Sequence, residues 1–269
     1  MTQLTAYQIY DLLNRARPLW LVKIDLSDAS LWLVDLSGAD LSWANMSRCD
    51  LSRATLIKTN LTRANLTGAN LFEALLSRAI LIAANMVRAD LTRADLGKAD
   101  LSEADLTESN LTRASFSVAA LTGANLNNAN ASRADFSKAD LSGANLFGAN
   151  LALANFFEAN LSRIRARGAK MQRADLNRAN LSGAQLQEAD LSGADLTGAR
   201  LINADLSNAI LNGADLSGAD LTGTLFDGVN LSLANISKAD MSKVRKGGIA
   251  AAAESQKPAR TTGGLLDIR

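Results

Sequence analysis

Residues 89 to 106 read ADLTRADLGKADLSEADL and set Asp90, Asp95, Asp100 and Asp105 at a strict interval of five. Carboxylates are common instruments of general acid and base catalysis, and rows of Arg and Lys of anion binding. The first chemistry is poorly supplied. The chain has no histidine, the commonest general base and metal ligand, and its one cysteine, Cys49, excludes a paired-thiolate zinc site. Almost every Asp occupies one repeat position at which Asn replaces it freely. A shared hydrogen-bonding role beside a turn explains that exchange better than proton transfer does. No glycine-rich phosphate loop opens a helix; Gly38, Gly143, Gly193 and Gly218 instead fall where a turn would need positive φ. No catalytic, cofactor-binding or metal-ligating residue is assigned, and no cofactor is expected.

The elements that carry these side chains must return Leu, Ala and Asp to the same places every fifth residue. An α-helix wants apolar residues at i, i+3, i+4 and i+7, so a five-residue repeat would smear its stripe around the axis. A straight strand would send successive leucines to opposite faces. A chain that turns a corner once per repeat satisfies the pattern: Ala and Leu, two apart, point inward, and the Asp or Asn between them points out. From Leu26 to Met241 the register never slips, with Leu at 33 of 44 central positions, Ala at 36 of 44 positions two earlier, and Asp or Asn at 32 of 44 between them. An uninterrupted array of this kind leaves no room inside it for a catalytic loop or a second domain.

The motif A(D/N)Lxx, seen as Ala89-Asp90-Leu91-Thr92-Arg93, resembles the pentapeptide-repeat family. That resemblance implies an all-β fold, a right-handed four-sided β-helix of about eleven 20-residue coils, roughly 50 Å long at the usual inter-strand spacing. Four repeats per coil imply a second period of twenty, and Phe116, Phe136 and Phe156 keep it. They are expected to stack as a ladder in the core. The expected organisation is a cap over residues 1–20, the array over 21–244 and a flexible tail over 245–269. Within the first segment Ala6, Ile9, Tyr10, Leu12 and Leu13 have helical spacing, with Thr5 as N-cap and Pro18 as a stop, which suits a short capping helix over an open sheet edge.

Composition fits one elongated body: 269 residues, 48% hydrophobic but 4% aromatic, so the core rests on many small apolar groups. The net charge of +1 gives no global preference for nucleic acid. No run of apolar residues is long enough to span a membrane, and the N-terminus lacks the marks of a signal peptide, so a cytoplasmic protein is expected; the family resemblance implies a bacterial one. Cys49 stands at an Ala position, which suits a small buried thiol.

Function must then lie on the outer surface. On twenty-residue coils Arg53, Arg93, Arg113, Arg133 and Arg173 form one column, and Lys58, Arg78, Lys98, Lys138 and Arg178 form another a corner further on. Phosphate or acidic-partner binding is one reading; neutralisation by the Asp or Asn that follows most of these bases is the plainer one. A sharper departure is LSRIRARGAKMQR, residues 161 to 173, where Arg165 and Lys170 replace Asp or Asn and Arg163, Arg167 and Arg173 add charge. Six bases face one acid over residues 161–180, whereas residues 181–223 carry one base and six acids. Outward apolar residues (Trp32, Leu33, Trp43, Ile57, Phe72, Leu75, Ile80, Ile82 and Val87) form a second candidate surface.

The resemblance and the surface together imply a non-enzymatic scaffold that presents a rigid rod to a protein partner. Candidate partner-binding residues are Arg163, Arg165, Arg167, Lys170, Arg173, Trp32, Trp43, Phe72, Leu75 and Ile80. Quinolone-resistance members of the family imply an alternative, a DNA-mimicking gyrase binder. That role needs a sustained acidic surface, and the acidic stretch here spans only about two coils, roughly 10 Å. Assembly through an edge or the tail is a further alternative. A monomer or weak homodimer is expected.

Overall fold

The computed structural model describes residues 18–245 and, before them, Tyr7, Gln8, Asp11 and Asn14. Each pentapeptide uses its amides in one repeating scheme, seen around Leu91. The Ala94 N–H donates to the Leu91 carbonyl (2.9 Å) and closes a turn; Leu91 N–H donates to Asn110 in the next coil (2.7 Å) and Arg93 N–H to Thr112 (3.0 Å). Asp90 N–H donates back to Ala69 in the preceding coil (2.9 Å). One amide per repeat is left over, that of Thr92, and the Asp90 carboxylate accepts it at 2.9 Å. This is why Asp and Asn exchange freely: either supplies the acceptor that completes the account of backbone donors.

The turn places its third residue at positive φ. Among the described residues Gly takes 13 of these corners, but 30 are non-glycine, with φ from 53° at Ala83 to 62° at Trp43. A side chain there costs roughly 1–2 kcal/mol. Such strain persists only because the ladders on both sides over-determine the backbone.

Parallel bridges join residues twenty apart from Trp20–Asp40 to Leu225–Arg245, so four pentapeptides complete a coil and the side-chain columns have a fixed address. The four sides are identified here by their buried central residues: side one by Leu41 and Leu61, side two by Met46 and Leu66, side three by Leu51 and Leu71, side four by Leu56 and Leu76. Inside, the Leu and Ala positions are almost all fully buried. Larger groups at Ala positions find local answers. Thr59 donates its hydroxyl to the Leu36 carbonyl at 2.8 Å, and Thr224 does the same to Leu201 at 2.8 Å. Cys49 is buried, its Sγ contacts the Leu26 carbonyl, and burial pushes its thiol up to about 11.

The last coil frays on alternate sides. Bridges persist at Asn235 and Arg245, but Ile210 and Asp220 lack the partners their register calls for at Asn230 and Asp240. Gly213 and Gly223 donate instead to Leu233 (3.0 Å) and Lys243 (2.9 Å), one residue further on than the ladder elsewhere. A short 3-10 turn, Met241–Lys243, follows, capped by Asp240 through Ser242 N–H. At the other end Tyr7, Gln8 and Asp11 are helical, while Thr5, Ala6, Ile9, Tyr10, Leu12 and Leu13 lie outside the described residues, as does the tail from residue 246.

Candidate binding surface

Phe116, Phe136 and Phe156 are fully buried on side four and stack almost parallel, with centroids 4.9 and 5.0 Å apart. They belong to the core and offer nothing to a partner. Their spacing is also a direct measure of the rise per coil.

The outward apolar residues do not make one patch. The twenty-residue register puts Ile80 on side one, Trp43 at the corner between sides one and two, Trp32 and Phe72 on side three, and Leu75 on side four. Their spacing in the sequence conceals this, because five-residue steps carry neighbouring repeats around the rod. Trp32, Trp43, Leu75 and Ile80 are exposed; Phe72 is half-buried. Trp43 is partly engaged, with the Arg63 guanidinium 4.9 Å from its ring centroid. Trp20, 75% exposed, shares the column of Ile80 on side one and was legible as an outward residue from its place at the Asp/Asn position.

Residues 161–173 wrap around more than one side. Arg163 stands at the corner between sides one and two, Arg165 and Arg167 on side two, Lys170 on side three, and Arg173 at the corner beyond it. All five are exposed, and only Arg167 has an ion-pair partner among the described residues, Glu188 at 2.8 Å. The stems of Arg163 and Arg173 lean over the next coil at Gly183 and Gly193, where an added Cβ would lie 3.4 and 3.3 Å from their Cγ atoms. Glycine at these two corners thus leaves room for the stems to lie along the backbone.

Two further apolar residues border these bases, and sequence reasoning missed them. Phe147 (49% exposed) precedes Arg167 by one coil and Leu153 (45%) precedes Arg173 by one coil. The ladder bonds Gly148 N–H to Arg167 O (3.1 Å) and Leu153 N–H to Gln172 O (2.9 Å) fix that adjacency. The signal was available in the period of twenty. Arg167 is paired with Glu188 and Arg173 is not; exposed apolar side chains beside arginines have the composition of protein interfaces.

Elsewhere the basic columns are partly neutralised. Glu73 lies between Arg53 (3.0 Å) and Arg93 (3.2 Å), and Glu158 between Lys138 (3.7 Å) and Arg178 (3.6 Å). The hydrogen bond from Arg93 holds the Glu73 carboxyl below its ordinary value, with burial opposing and Arg53 assisting. Asp28 is lowered chiefly by its hydrogen bond from Arg48. In the acidic stretch, Asp190, Asp205, Asp215 and Asp220 each accept the N–H two residues on, and their carboxyls are lowered. Among the described residues no cluster of His, Cys, Asp or Glu could hold a metal ion, and no helix is long and apolar enough to cross a membrane.

A four-sided parallel solenoid with a solid Leu/Ala core defines a class of rod-shaped repeat proteins, and the sequence comparisons place the chain within it. The pentapeptide-repeat profile, described as eight copies, matches overlapping segments that together run from residue 21 to residue 245. The chain belongs to the pentapeptide-repeat family, whose members are generally non-enzymatic structural scaffolds, and its coil is the right-handed β-helix of that family.

Among solved structures it is similar to HetL, a pentapeptide-repeat protein involved in heterocyst differentiation regulation from the cyanobacterium Nostoc sp. strain PCC 7120. Identity is 36% over 84% of this chain and 98% of that one, with a TM-score of 0.56. It is also similar to alr5209, a pentapeptide-repeat protein of Nostoc PCC 7120 (32% identity, 36% of this chain, 84% of that one, TM-score 0.32). A third is a trypsin-treated variant of QnrB1, a plasmid-mediated fluoroquinolone resistance protein (23% identity, 66% and 87% covered, TM-score 0.36). No curated protein matches the chain.

Proposed function

We propose that the protein is a non-enzymatic cytoplasmic scaffold, a rod of about eleven coils with a helical N-terminal cap, that captures an acidic protein surface on residues 161–173. One observation carries this reading. Arg163, Arg165, Lys170 and Arg173 have no ion-pair partner among the described residues, and exposed Phe147 and Leu153 lie one coil from Arg167 and Arg173 respectively. A solvated surface without a ligand would more economically carry the Asp or Asn that the turn uses. The similarity to HetL, a protein involved in differentiation regulation, supports a bacterial regulatory partner rather than a substrate. The Asp carboxylates of residues 181–223 each accept an amide of their own turn and Glu188 is paired with Arg167, which does not favour duplex mimicry.

The test is co-purification from a cyanobacterial lysate with the full chain and with an Arg165→Glu/Lys170→Glu variant, across a series of salt concentrations. The variant is expected to stay folded, lose the partner, and flatten the salt dependence of residual binding. Recovery of the same proteins at the same ionic strengths would refute the assignment of this surface.

A second reading, assembly through the C-terminal edge, is favoured by the frayed last coil, whose unpaired backbone offers a template for another chain. On the first reading sedimentation gives an elongated monomer or weak dimer; the second requires mass that grows steeply with concentration.

A further inference from the structure

A groove of about 500 Å³ runs along the rod where side three meets its corner with side four, lined by Phe72, Thr92, Thr112, Ser132 and the arginines 93, 113 and 133. The ladder bonds Arg93 N–H to Thr112 O (3.0 Å) and Arg113 N–H to Ser132 O (3.1 Å) hold these residues in successive coils. Its threonine hydroxyls are already satisfied. Thr92 donates to Asp90 (2.5 Å) and accepts from Asn110 (2.8 Å), while Thr112 donates to Asn110 (2.7 Å) and accepts from Asn130 (3.0 Å). The rim is not. Arg93 is held by Glu73 at 3.2 Å, but exposed Arg113 and Arg133 have no ion-pair partner among the described residues.

We infer that this groove binds an extended acidic protein segment, with the segment's carboxylates on Arg113 and Arg133 and an apolar residue against Phe72. The inference rests on the scaffold reading but concerns coils before residues 161–173; Arg173 shares the groove's corner two coils beyond Arg133, whereas Arg165 and Lys170 do not. Successive coils rise by 4.9–5.0 Å, and carboxylates on one face of an extended peptide recur about every 6.7 Å, a mismatch that long guanidinium stems can follow. A nucleic-acid strand fits less well. Single strands bind on repeated aromatic faces, and here Phe72 is followed in its column by Thr92, Thr112 and Ser132. A continuous phosphate backbone would also pass Glu73 and Asp90, whereas discrete carboxylates can be spaced to avoid them.

The probe is a short fluorescein-labelled peptide alternating Glu and Thr with one terminal Leu, titrated by anisotropy against the full chain. Arg113→Gln/Arg133→Gln should weaken binding about tenfold, as the loss of two exposed charge pairs allows. Phe72→Ala should weaken it about threefold, and only for the peptide that carries Leu. Arg165→Glu/Lys170→Glu should change it less than about twofold. Wild-type affinity in the Arg113/Arg133 variant overturns the groove; if the Arg165/Lys170 variant then loses the peptide, the scaffold reading stands without it. No binding by wild type overturns the groove as well. Tighter binding of a single-stranded oligonucleotide of equal charge, lost in the Arg113/Arg133 variant, overturns the protein ligand in favour of nucleic acid.

Discussion

Phe116 and Phe136 stack in the core, centroids 4.9 Å apart and planes 7° from parallel. Near-parallel stacking and edge-to-face contact are both open to an aromatic pair at this separation. Here the coil register sets the geometry, because Phe116 N–H is bonded to Asp135 O at 2.6 Å and each ring must sit above its counterpart. The same constraint that builds the ladder makes every outward column a straight row of side chains about one coil apart.

Phe136, with a ring on either side and no exposure, is expected to cost about 3–5 kcal/mol when truncated to Ala. Arg133→Gln, three residues earlier on the surface, should cost under about 0.5 kcal/mol. Denaturant titration read by more than one probe makes the comparison, since a repeat array can open locally. Comparable losses at both positions would reject the division into inside and outside.

How much of this was readable beforehand follows from the two periods. The five-residue period exposes the corner, the inward Leu and Ala, and the exchange of Asp with Asn, because each repeat meets the same backbone demand. The twenty-residue period exposes the Phe column and the basic columns. What escaped were relations that need both periods at once: Trp32 and Trp43 lie close in sequence but share no side, and Phe147 lies one coil from Arg167. Pairing choices such as Glu73 between Arg53 and Arg93 depend on rotamers, which no period encodes. The fraying at Asn230 and Asp240 was hidden because their repeats keep the same residue types as the bridged ones.

Val118 is a β-branched residue at φ 59°, exposed by 51%. That conformation is a genuine outlier for such a side chain. Val118→Asn should raise stability by about 1 kcal/mol, because Asn tolerates the left-handed region without the entropy cost of Gly. A melting temperature that falls would show that Val118 contributes packing that outweighs its strain.

Thr59→Val keeps the shape of the side chain but removes the hydroxyl that donates to Leu36 O at 2.8 Å. The carbonyl retains its turn bond from Ala39 N–H at 3.0 Å, so the loss should be about 1 kcal/mol, the ordinary net worth of one hydrogen bond. Thr224→Val, with the same geometry at Leu201, should match it. Unfolding midpoints that do not move would mean the hydroxyls are incidental.

Stability should fall on the acid side. In Asp215 and Asp220 the hydroxyl and N–H two residues on lower the carboxyl, with burial opposing. In Asp190 and Asp205 burial is the largest single influence and raises it, but the hydrogen bonds from Ser192 and Gln172, and from Ser207 and Gln187, together outweigh it. Folded values therefore lie below the unfolded value of about 3.9, and the unfolded chain binds more protons as pH falls. The contribution is fully present above about pH 4 and is lost as pH drops through the folded values. Melting temperatures should be flat from neutrality to about pH 5 and decline below about pH 4, with a shallower decline in Asp215→Asn. An unchanged melting temperature down to about pH 2 would dissociate the carboxylates from the turns.

Arg165 and Lys170 carry the last prediction, because they occupy the position whose side chain normally accepts the amide two residues on. At Asn160 and Asp175 that bond is present, to Ser162 at 3.2 Å and to Asn177 at 3.0 Å. The amides of Arg167 and Gln172 have no acceptor among the described residues. Restoring the acceptor with Arg165→Asn and Lys170→Asn should therefore stabilise the rod, by up to about 0.5–1.5 kcal/mol at each site and less where water already satisfies the amide. If these two bases serve a partner, the same double variant should bind it more weakly while melting at a higher temperature, the exchange expected when a surface is kept for function at a cost in stability. A variant that gains stability and still captures the partner with undiminished affinity and salt dependence would mark both bases as drift from the repeat.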